Sequence, residues 1–217
     1  MSSKRGLLFI VSGPSGAGKS TLINRVLARV PDLVYSVSYT TRPQRPTEVE
    51  GRDYHFVSRR EFERMRETGE LIEWAEVYGH LYGRSQAALR RELEAGRDVI
   101  VSIDVQGAAT LRRLPLDSVS IFILPPSFDV LAERLRARER DLSGSVERRL
   151  AIACEEVEQY RDFDYVIIND RLDDALALLE AIILAERHRR VRREEDVQEI
   201  LRTFPSHTES QDGVESP

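Results

Sequence analysis

The sequence predicts an α/β fold in which a parallel β-sheet is covered by helices, and two observations support this prediction. Short apolar runs rich in valine and isoleucine recur without alternating polar residues, at positions 7–12, 99–105, 119–124 and 165–168. Such runs are typical of strands that are buried on both faces. Stretches with helical periodicity lie between and after them, at positions 21–30, 128–138, 146–160 and 175–193. Strands that alternate with helices in this way form parallel sheets.

A region of different character interrupts this alternation. It contains short strand and helix candidates separated by glycine-rich turns, at positions 54–57, 59–67, 71–78 and 85–95. We therefore expect a small inserted α+β domain at residues 37–96. The main domain then comprises residues 1–36, 97–127 and 144–205, with a lid region at 128–143. The final segment, 206–217, is polar and lacks periodicity, so we expect it to be disordered.

Composition narrows the range of partners and compartments. The 217 residues carry a net charge of −5, so bulk charge gives no reason to expect nucleic acid or an anionic membrane as a partner. The single cysteine cannot form an internal disulfide, and no apolar run approaches the roughly 20 residues of a membrane span. These observations favour a cytoplasmic protein. They do not determine its oligomeric state.

A phosphate-binding loop follows the first predicted strand. Its residues are Gly13, Pro14, Ser15, Gly16, Ala17, Gly18, Lys19 and Ser20, with Thr21 next in the chain. Glycines at this spacing adopt positive φ, so that successive backbone N–H groups point at a polyphosphate. Lys19 then reaches the β and γ phosphates, and the Ser20 hydroxyl can bind Mg²⁺. The loop predicts ATP and Mg²⁺, but it leaves the phosphate acceptor open, because kinases, GTPases and motor ATPases share it.

Two arginines predict a second anion site. Arg42 and Arg45 lie three residues apart in a chain stiffened by proline, with hydroxyl groups nearby, which suits a monophosphate. The alternative is a solvated basic loop that Glu48 and Glu50 neutralise. The residues alone leave the two interpretations equally open.

Several separated motifs, taken in order, resemble guanylate kinase over residues 6 to about 190. They occupy positions 36–45, 51–56, 72–75, 82–83, 103–107, 124–127 and 168–170. The resemblance implies the three-layer fold of the P-loop NTPases and transfer of the ATP γ-phosphoryl group to GMP, with Mg²⁺. We expect dGMP to be accepted as well.

The resemblance also implies roles for individual residues. The residues implied to bind GMP are Ser38, Arg42, Arg45, Tyr54, Glu73, Tyr82 and Asp104. Glu73 and Asp104 would hold the guanine base, and Asp104 is also a candidate for Mg²⁺ through water. Arg134 and Asn169 would lie on the ATP side, and the implied catalytic residues are Lys19, Arg42, Arg138 and Arg149. Arginines interleaved with glutamates on a helix are also typical of a solvated surface, so we expect only about half of the arginines in this region to have a role.

Glu73 has a physical argument of its own. Strand alternation places it on a face with Leu71, Ala75 and Val77, where a carboxylate needs a partner. The N1–H and N2–H₂ edge of guanine offers two donors that match its two acceptor oxygens, whereas adenine offers an acceptor at N1. Without the resemblance, an exposed strand edge is the simpler interpretation of Glu73; with it, guanine recognition is favoured.

The sequence departs from the family pattern at two positions. Arg84 follows Tyr82 and Gly83 where relatives usually carry serine or threonine, a small hydroxyl that donates to guanine O6. Arginine can also donate to guanine O6 and N7, so Arg84 is a further candidate for binding GMP, and Ser85 is its alternative. Ser102 occupies a position where relatives often have a carboxylate, and we expect it to order metal-bound water less well.

Two other functions share parts of this pattern. A ribose bisphosphate kinase would use the same loop and lid but would not need Glu73 or Asp104 to read guanine. A non-catalytic guanylate-kinase-like module would bind a phosphorylated partner. The intact phosphate loop argues against the second alternative.

Overall fold

The computed structural model describes residues 5–77, 79–137 and 146–205 of the chain. In chain order the strands are β1 (Leu8–Ser12), β2 (Leu33–Tyr35), β3 (Tyr39–Thr40), β4 (His55–Phe56), β5 (Leu71–Val77), β6 (His80–Ser85), β7 (Asp98–Ser102), β8 (Ser118–Leu124) and β9 (Tyr165–Ile168). The helices are α1 (Lys19–Leu27), α2 (Arg59–Glu67), α3 (Gln86–Glu94), α4 (Val105–Arg112), α5 (Phe128–Ala137), α6 (Val146–Val157), α7 (Leu172–Arg187) and α8 (Arg190–Leu201). The predicted tail and residues 138–143 of the predicted lid, with Arg138 among them, lie outside the described residues.

The five strands of the main sheet are all parallel, in the order β2-β7-β1-β8-β9. Every residue of β1 is buried, as expected for a central strand covered on both faces. Strand β9 differs, because it lies at the edge of the sheet and leaves Ile168 60% exposed. The apolar run at 165–168 therefore predicts the strand correctly but not its burial.

Helices cover both faces of this sheet, which confirms the predicted α/β class. Along β1, Phe9 and Val11 pack against residues of α1 and α7, such as Leu22 and Leu179. Leu8 and Ile10 point the other way, into a cluster formed with β7, α3 and α4. Each fully buried aliphatic side chain stabilises the folded state by about 1.5–3 kcal/mol. Because the side chains of β1 alternate between the two faces of the sheet, this strand packs against both helical layers.

A second sheet of four short strands, in the order β4-β3-β6-β5, lies within the inserted segment. Strands β5 and β6 are antiparallel neighbours, and β6 is also antiparallel to β3. The sequence analysis missed β2, β3 and β6. The first two are three and two residues long, and β6 carries Gly83 and Arg84 in place of an apolar run.

Several predicted boundaries differ from the structure, and helix α1, predicted at 21–30, spans Lys19–Leu27. The strand predicted at 99–105 ends at Ser102, because Asp104 caps α4, a helix that the sequence analysis missed. Helix α6 ends at Val157 and continues as a 3₁₀ turn. The helix predicted at 175–193 is two helices, α7 and α8, which meet at His188 and Arg189.

None of the helices formed by the described residues has the length and apolar character needed to span a membrane.

A buried ion pair fastens the end of α7 to the main sheet. Asp98, at the start of β7, accepts hydrogen bonds from the Leu7 backbone N–H at 2.6 Å and from Arg187 Nε at 2.6 Å. The Asp98 side chain is 7% exposed and that of Arg187 is 21% exposed. Arg187 also donates to the Pro31 carbonyl at 2.9 Å, so this pair connects β1, β7, α7 and the segment before β2.

We expect Asp98→Ala to lower the free energy of unfolding by about 3 kcal/mol, because it leaves a guanidinium and a backbone N–H without their acceptor in a largely buried place. The matched control is Asp173→Ala, which removes an exposed pair with Arg25 and should cost no more than about 1 kcal/mol. Urea unfolding of both variants measures the difference. Equal losses would show that Asp98 contributes no more than a surface pair.

Candidate active site

The loop between β1 and α1 turns on three glycines with positive φ, Gly13 at 134°, Gly16 at 90° and Gly18 at 95°. A Cβ atom on Gly13 would lie 2.1 Å from the Ile123 carbonyl oxygen, and one on Gly18 would lie 2.2 Å from Asn169 Nδ2. The loop therefore passes too close to β8 and to the end of β9 for any larger residue at these two positions. This close passage places the backbone N–H groups of the loop at the start of α1, where an anion is favoured.

Lys19 is the first residue of α1, and its Nζ lies over the loop. It donates to the carbonyl oxygens of Gly13 at 2.5 Å and Pro14 at 3.0 Å. Ser20 and Thr21 are exposed in the first turn of the helix, which contains no acidic residue. The positive end of the helix and the Lys19 ammonium group therefore act together on whatever the loop binds.

Asn169 supports the loop from the end of β9. Its side chain is buried, and Nδ2 donates to the Ala17 carbonyl at 2.7 Å. Its own backbone carbonyl accepts a hydrogen bond from Arg134 Nη2 at 3.1 Å. Both residues border a cavity of about 350 Å³ that is lined by Gly16, Gly18, Thr21, Arg134, Ala137, Asn169, Asp170 and Leu172. The structure thus brings the predicted ATP-side residues together around one cavity beside the loop.

Glu156, on α6, is a residue near the loop that the sequence analysis missed. It interacts with the Ser15 backbone N–H and with Lys19. Burial raises the pKa of its carboxyl group, Lys19 opposes that shift and Asp104 adds to it. No sequence signal could have singled it out, because two adjacent glutamates on an amphipathic helix are typical of a solvated surface.

The predicted monophosphate site is a cluster around Arg42. Its Nη2 donates to Glu48 Oε1 at 2.7 Å, and its Nη1 donates to the Pro43 carbonyl at 2.7 Å. The guanidinium carbon lies 5.3 Å from the ring centre of Tyr54 and 5.8 Å from that of Phe56. Burial opposes the charge, but Glu48 and Tyr82 hold the pKa of Arg42 above its usual value. Arg42 is therefore a fixed cation and not a solvated loop residue.

Glu48 and Glu50 have different partners, so the alternative interpretation, in which both glutamates neutralise the arginines of this loop, agrees with the structure only in part. Glu48 pairs with Arg42, and its Oε1 lies 3.8 Å from Arg45 Nη1. Glu50 instead accepts from the Phe56 backbone N–H at 2.9 Å and lies 3.0 Å from His55 Nδ1. Only Glu48 neutralises the two arginines.

Two tyrosines complete this cluster. The rings of Tyr54 and Tyr82 meet edge to face, with centres 5.9 Å apart. Burial raises the pKa of Tyr54 to about 12, with further contributions from neighbouring tyrosines. Its hydroxyl therefore keeps its proton at neutral pH and can donate a hydrogen bond to a phosphate oxygen.

Glu73 and Arg84 form a buried ion pair across β5 and β6. Arg84 Nη1 donates to Glu73 Oε1 at 2.9 Å, while its Nη2 donates to Ser38 Oγ at 2.8 Å and approaches the Ser102 carbonyl at 3.4 Å. Arg84 is 1% exposed and Glu73 is 5% exposed. Burial raises the pKa of Glu73, and Arg84 opposes that shift. The exposed-edge interpretation of Glu73 is wrong, and Arg84 points into the protein.

Asp104 lies at the carboxyl end of the main sheet, where it caps α4. Its Oδ1 accepts from the backbone N–H groups of Gln106 at 2.8 Å and Gly107 at 3.1 Å. The cap fixes the carboxylate near Glu73, since the charge of Asp104 adds to the effect of burial in raising the pKa of Glu73. Arg149, a further predicted catalytic residue, is buried on α6 in the main domain.

The parallel sheet and its glycine loop define a class of protein, the α/β nucleotide-binding proteins that hold a polyphosphate at the carboxyl end of β1. The sequence model of the family described as guanylate kinase matches residues 5–186. The chain belongs to the guanylate kinase family.

Individual relatives agree with this assignment. The chain is 50% identical over 191 residues to a guanylate kinase of Chelativorans sp. (strain BNC1), a match that covers 88% of each chain. It is 51% identical over 177 residues to one of Thiobacillus denitrificans, covering 82% of this chain and 85% of that one. A crystal structure of guanylate kinase from Anaplasma phagocytophilum superposes with a TM-score of 0.77 at 32% identity, covering 95% of this chain and all of that one. The two alternative functions find no support in these relatives.

We expect Asn169→Ala to raise the KM for ATP about five- to tenfold, because the Ala17 carbonyl would lose its donor and the loop would lose its support. The KM for the second substrate should stay within about twofold, since Asn169 lies on the other side of the site. Initial rates with each substrate varied in turn give both constants. A larger effect on the second substrate would contradict this assignment.

Proposed function

We propose that the chain catalyses the ATP-dependent phosphorylation of GMP, the reaction for which its family is named, and that it also accepts dGMP. The observation that carries the proposal is the buried Glu73 carboxylate, which pairs with Arg84 in the small sheet. Among the described residues Arg84 donates to its Oε1, so the second oxygen, Oε2, needs a further donor in this buried place. Guanine supplies donors through N1–H and N2–H₂, and the 5′-phosphate of GMP suits the cluster around Arg42.

The ATP side uses the loop and its supports. The backbone N–H groups from Gly13 to Ser20 cradle the phosphates, and Lys19 exchanges its bonds to the Gly13 and Pro14 carbonyls for bonds to phosphate oxygens. Thr21, Arg134 and Asn169 border the cavity that would receive the rest of the nucleotide. Each of these roles follows from where the side chain lies and from the family resemblance.

Mg²⁺ fits the oxygen donors at this place. The described residues contain no cluster of three or more His, Cys, Asp or Glu side chains that could hold a metal alone. Mg²⁺ bound to a nucleotide does not need such a cluster, because phosphate oxygens and water fill most of its octahedral shell. We propose that the Ser20 hydroxyl is its protein ligand and that Asp104 acts through water. Bound Mg²⁺ would neutralise charge on the β and γ phosphates.

The GMP side divides into a phosphate part and a base part. Arg42, Arg45, Tyr54 and Tyr82 would bind the phosphate, as cations or hydroxyl donors. Ser38, Glu73, Arg84 and Asp104 would surround the guanine. Arg84 has more N–H groups than the three acceptors it reaches among the described residues, and its buried Nε is without a hydrogen-bond partner there. We propose that a remaining donor reads guanine O6.

The chemistry needs charge stabilisation and not a general base, because the attacking phosphate oxygen of GMP is already ionised at neutral pH. Phosphoryl transfer places negative charge on the migrating group, and positioned cations lower its energy. Lys19 and Arg42 would hold the two reacting phosphates. Arg149 is our further candidate, together with Arg138 outside the described residues.

We also propose that residues 37–96 act as a substrate-binding domain and that 128–143 act as a lid, in a cytoplasmic enzyme. The side chains of Leu89 and Leu93 on α3 pack against β1 and β7. The last helix of the inserted segment would therefore anchor it to the main sheet. The GMP-binding residues before α3 lie on the small sheet or in its loops.

The direct test is ATP consumption with different acceptors. We expect ADP release to be stimulated by GMP and dGMP, weakly by IMP, and not by AMP or ribose bisphosphate. A coupled assay with each compound at equal concentration measures this. Equal stimulation by AMP would contradict guanine recognition, and stimulation by ribose bisphosphate alone would contradict the function.

The role of Arg84 is tested by Arg84→Ser. If a donor of Arg84 reads O6, which GMP and IMP share, the variant should lose about tenfold or more in kcat/KM for both nucleotides. The GMP to IMP ratio should change little. The matched control is Arg91→Ser, because Arg91 is an exposed arginine that pairs only with adjacent Glu92 among the described residues. Unchanged turnover of GMP in Arg84→Ser would remove Arg84 from the base site.

A further inference from the structure

Glu48 contacts both arginines of the phosphate cluster without belonging to the set implied by the family. Its two carboxylate oxygens have separate partners: Oε1 accepts from Arg42 Nη2 at 2.7 Å, and Oε2 accepts from the Arg45 backbone N–H at 2.9 Å. The side chains of Arg42 and Glu48 are 10% and 14% exposed. This carboxylate is therefore largely withdrawn from solvent and fully engaged.

The backbone around Glu48 is held by the same short turn. The Glu48 N–H donates to the Arg45 carbonyl at 3.0 Å, and the Glu48 carbonyl accepts from Gln44 Nε2 at 2.7 Å. If the carboxylate moved away, it would therefore lose its bond to the Arg45 N–H as well as its bond to Arg42. A mobile anion that merely filled the site until substrate arrived would lack these bonds.

Charge supports the same conclusion. Two arginines and one glutamate leave a net charge of +1 at the cluster, which still attracts a phosphate monoester of about −1.5 to −2. Arg42 donates hydrogen bonds to Glu48 and to the Pro43 carbonyl, and its guanidinium lies over the rings of Tyr54 and Phe56. Fixing a guanidinium in advance lowers the entropy that binding must remove.

We propose that Glu48 is a positioning residue, which holds the Arg42 guanidinium and the Arg45 backbone in the geometry that binds the substrate phosphate. It touches neither the transferred group nor the base. The proposal rests on the proposed function, because it takes Arg42 and Arg45 as the ligands of the GMP phosphate. It adds a residue that acts on affinity for one substrate only.

The test compares Glu48→Gln with Glu50→Gln in the full-length chain. Glutamine keeps an acceptor for the Arg45 N–H but loses the charge that holds Arg42. We expect Glu48→Gln to raise the KM for GMP, and its dissociation constant measured by calorimetry without ATP, about tenfold. The KM for ATP and kcat should stay within about threefold. Glu50→Gln is the matched control, because Glu50 lies in the same loop but contacts His55 and Phe56.

Each other outcome would overturn the proposal. Tighter GMP binding by Glu48→Gln would show that the carboxylate is a stand-in for the phosphate and competes with it. Unchanged GMP binding would show that it has no role. Equal losses toward GMP and ATP with a lower melting temperature would show a structural role alone. If the unmodified chain fails to consume ATP with GMP, the proposed function fails, whereas the Glu48 proposal is judged on the ratio of variant to unmodified chain.

Discussion

Charged side chains that leave water must find partners in the protein, and this constraint shapes the whole site. Lys19 donates hydrogen bonds to two loop carbonyls, Arg42 donates to Glu48, and Arg84 donates to Glu73. Burying an unpaired charge costs several kcal/mol, so these partners are needed for the cations to be present at all. The same pairing keeps each cation in a defined place, which is what the binding of an anionic substrate requires.

Each of these three cations is held by a different part of the structure. Lys19 depends on the glycine loop, which passes against β8 at Gly13 and against Asn169 at Gly18. Arg42 depends on a short turn and on the rings of Tyr54 and Phe56. Arg84 depends on a cross-strand neighbour in the small sheet. Under the proposed function, a substitution near one of these cations should therefore affect the recognition of ATP, of the GMP phosphate or of the guanine base without affecting the other two.

Part of this arrangement could be predicted from the sequence, because the signals were local. The loop, the central strands β1, β7 and β8 and most helices follow from spacing and periodicity. Strands β2, β3 and β6 could not be found, since their identity as strands comes from the neighbours with which they pair. Asp104 was placed within the strand predicted at 99–105, whereas it lies after β7 and caps α4, a helix whose sequence carries little amphipathic pattern. Glu156 gave no signal, because only the fold brings α6 to the loop.

By itself, the sequence determined that this is an α/β protein with a phosphate loop and the motifs of the guanylate kinase family, because those features depend on residues close together in the chain. Only the tertiary structure decided what Glu73, Arg84 and Glu48 contact. From the sequence alone Arg84 could have faced solvent, and in the structure it lies against Glu73 and Ser38. Burial and the pairing of charges in the folded chain decide such contacts, even where the partners are only 6 or 11 residues apart, and neither can be read from spacing alone.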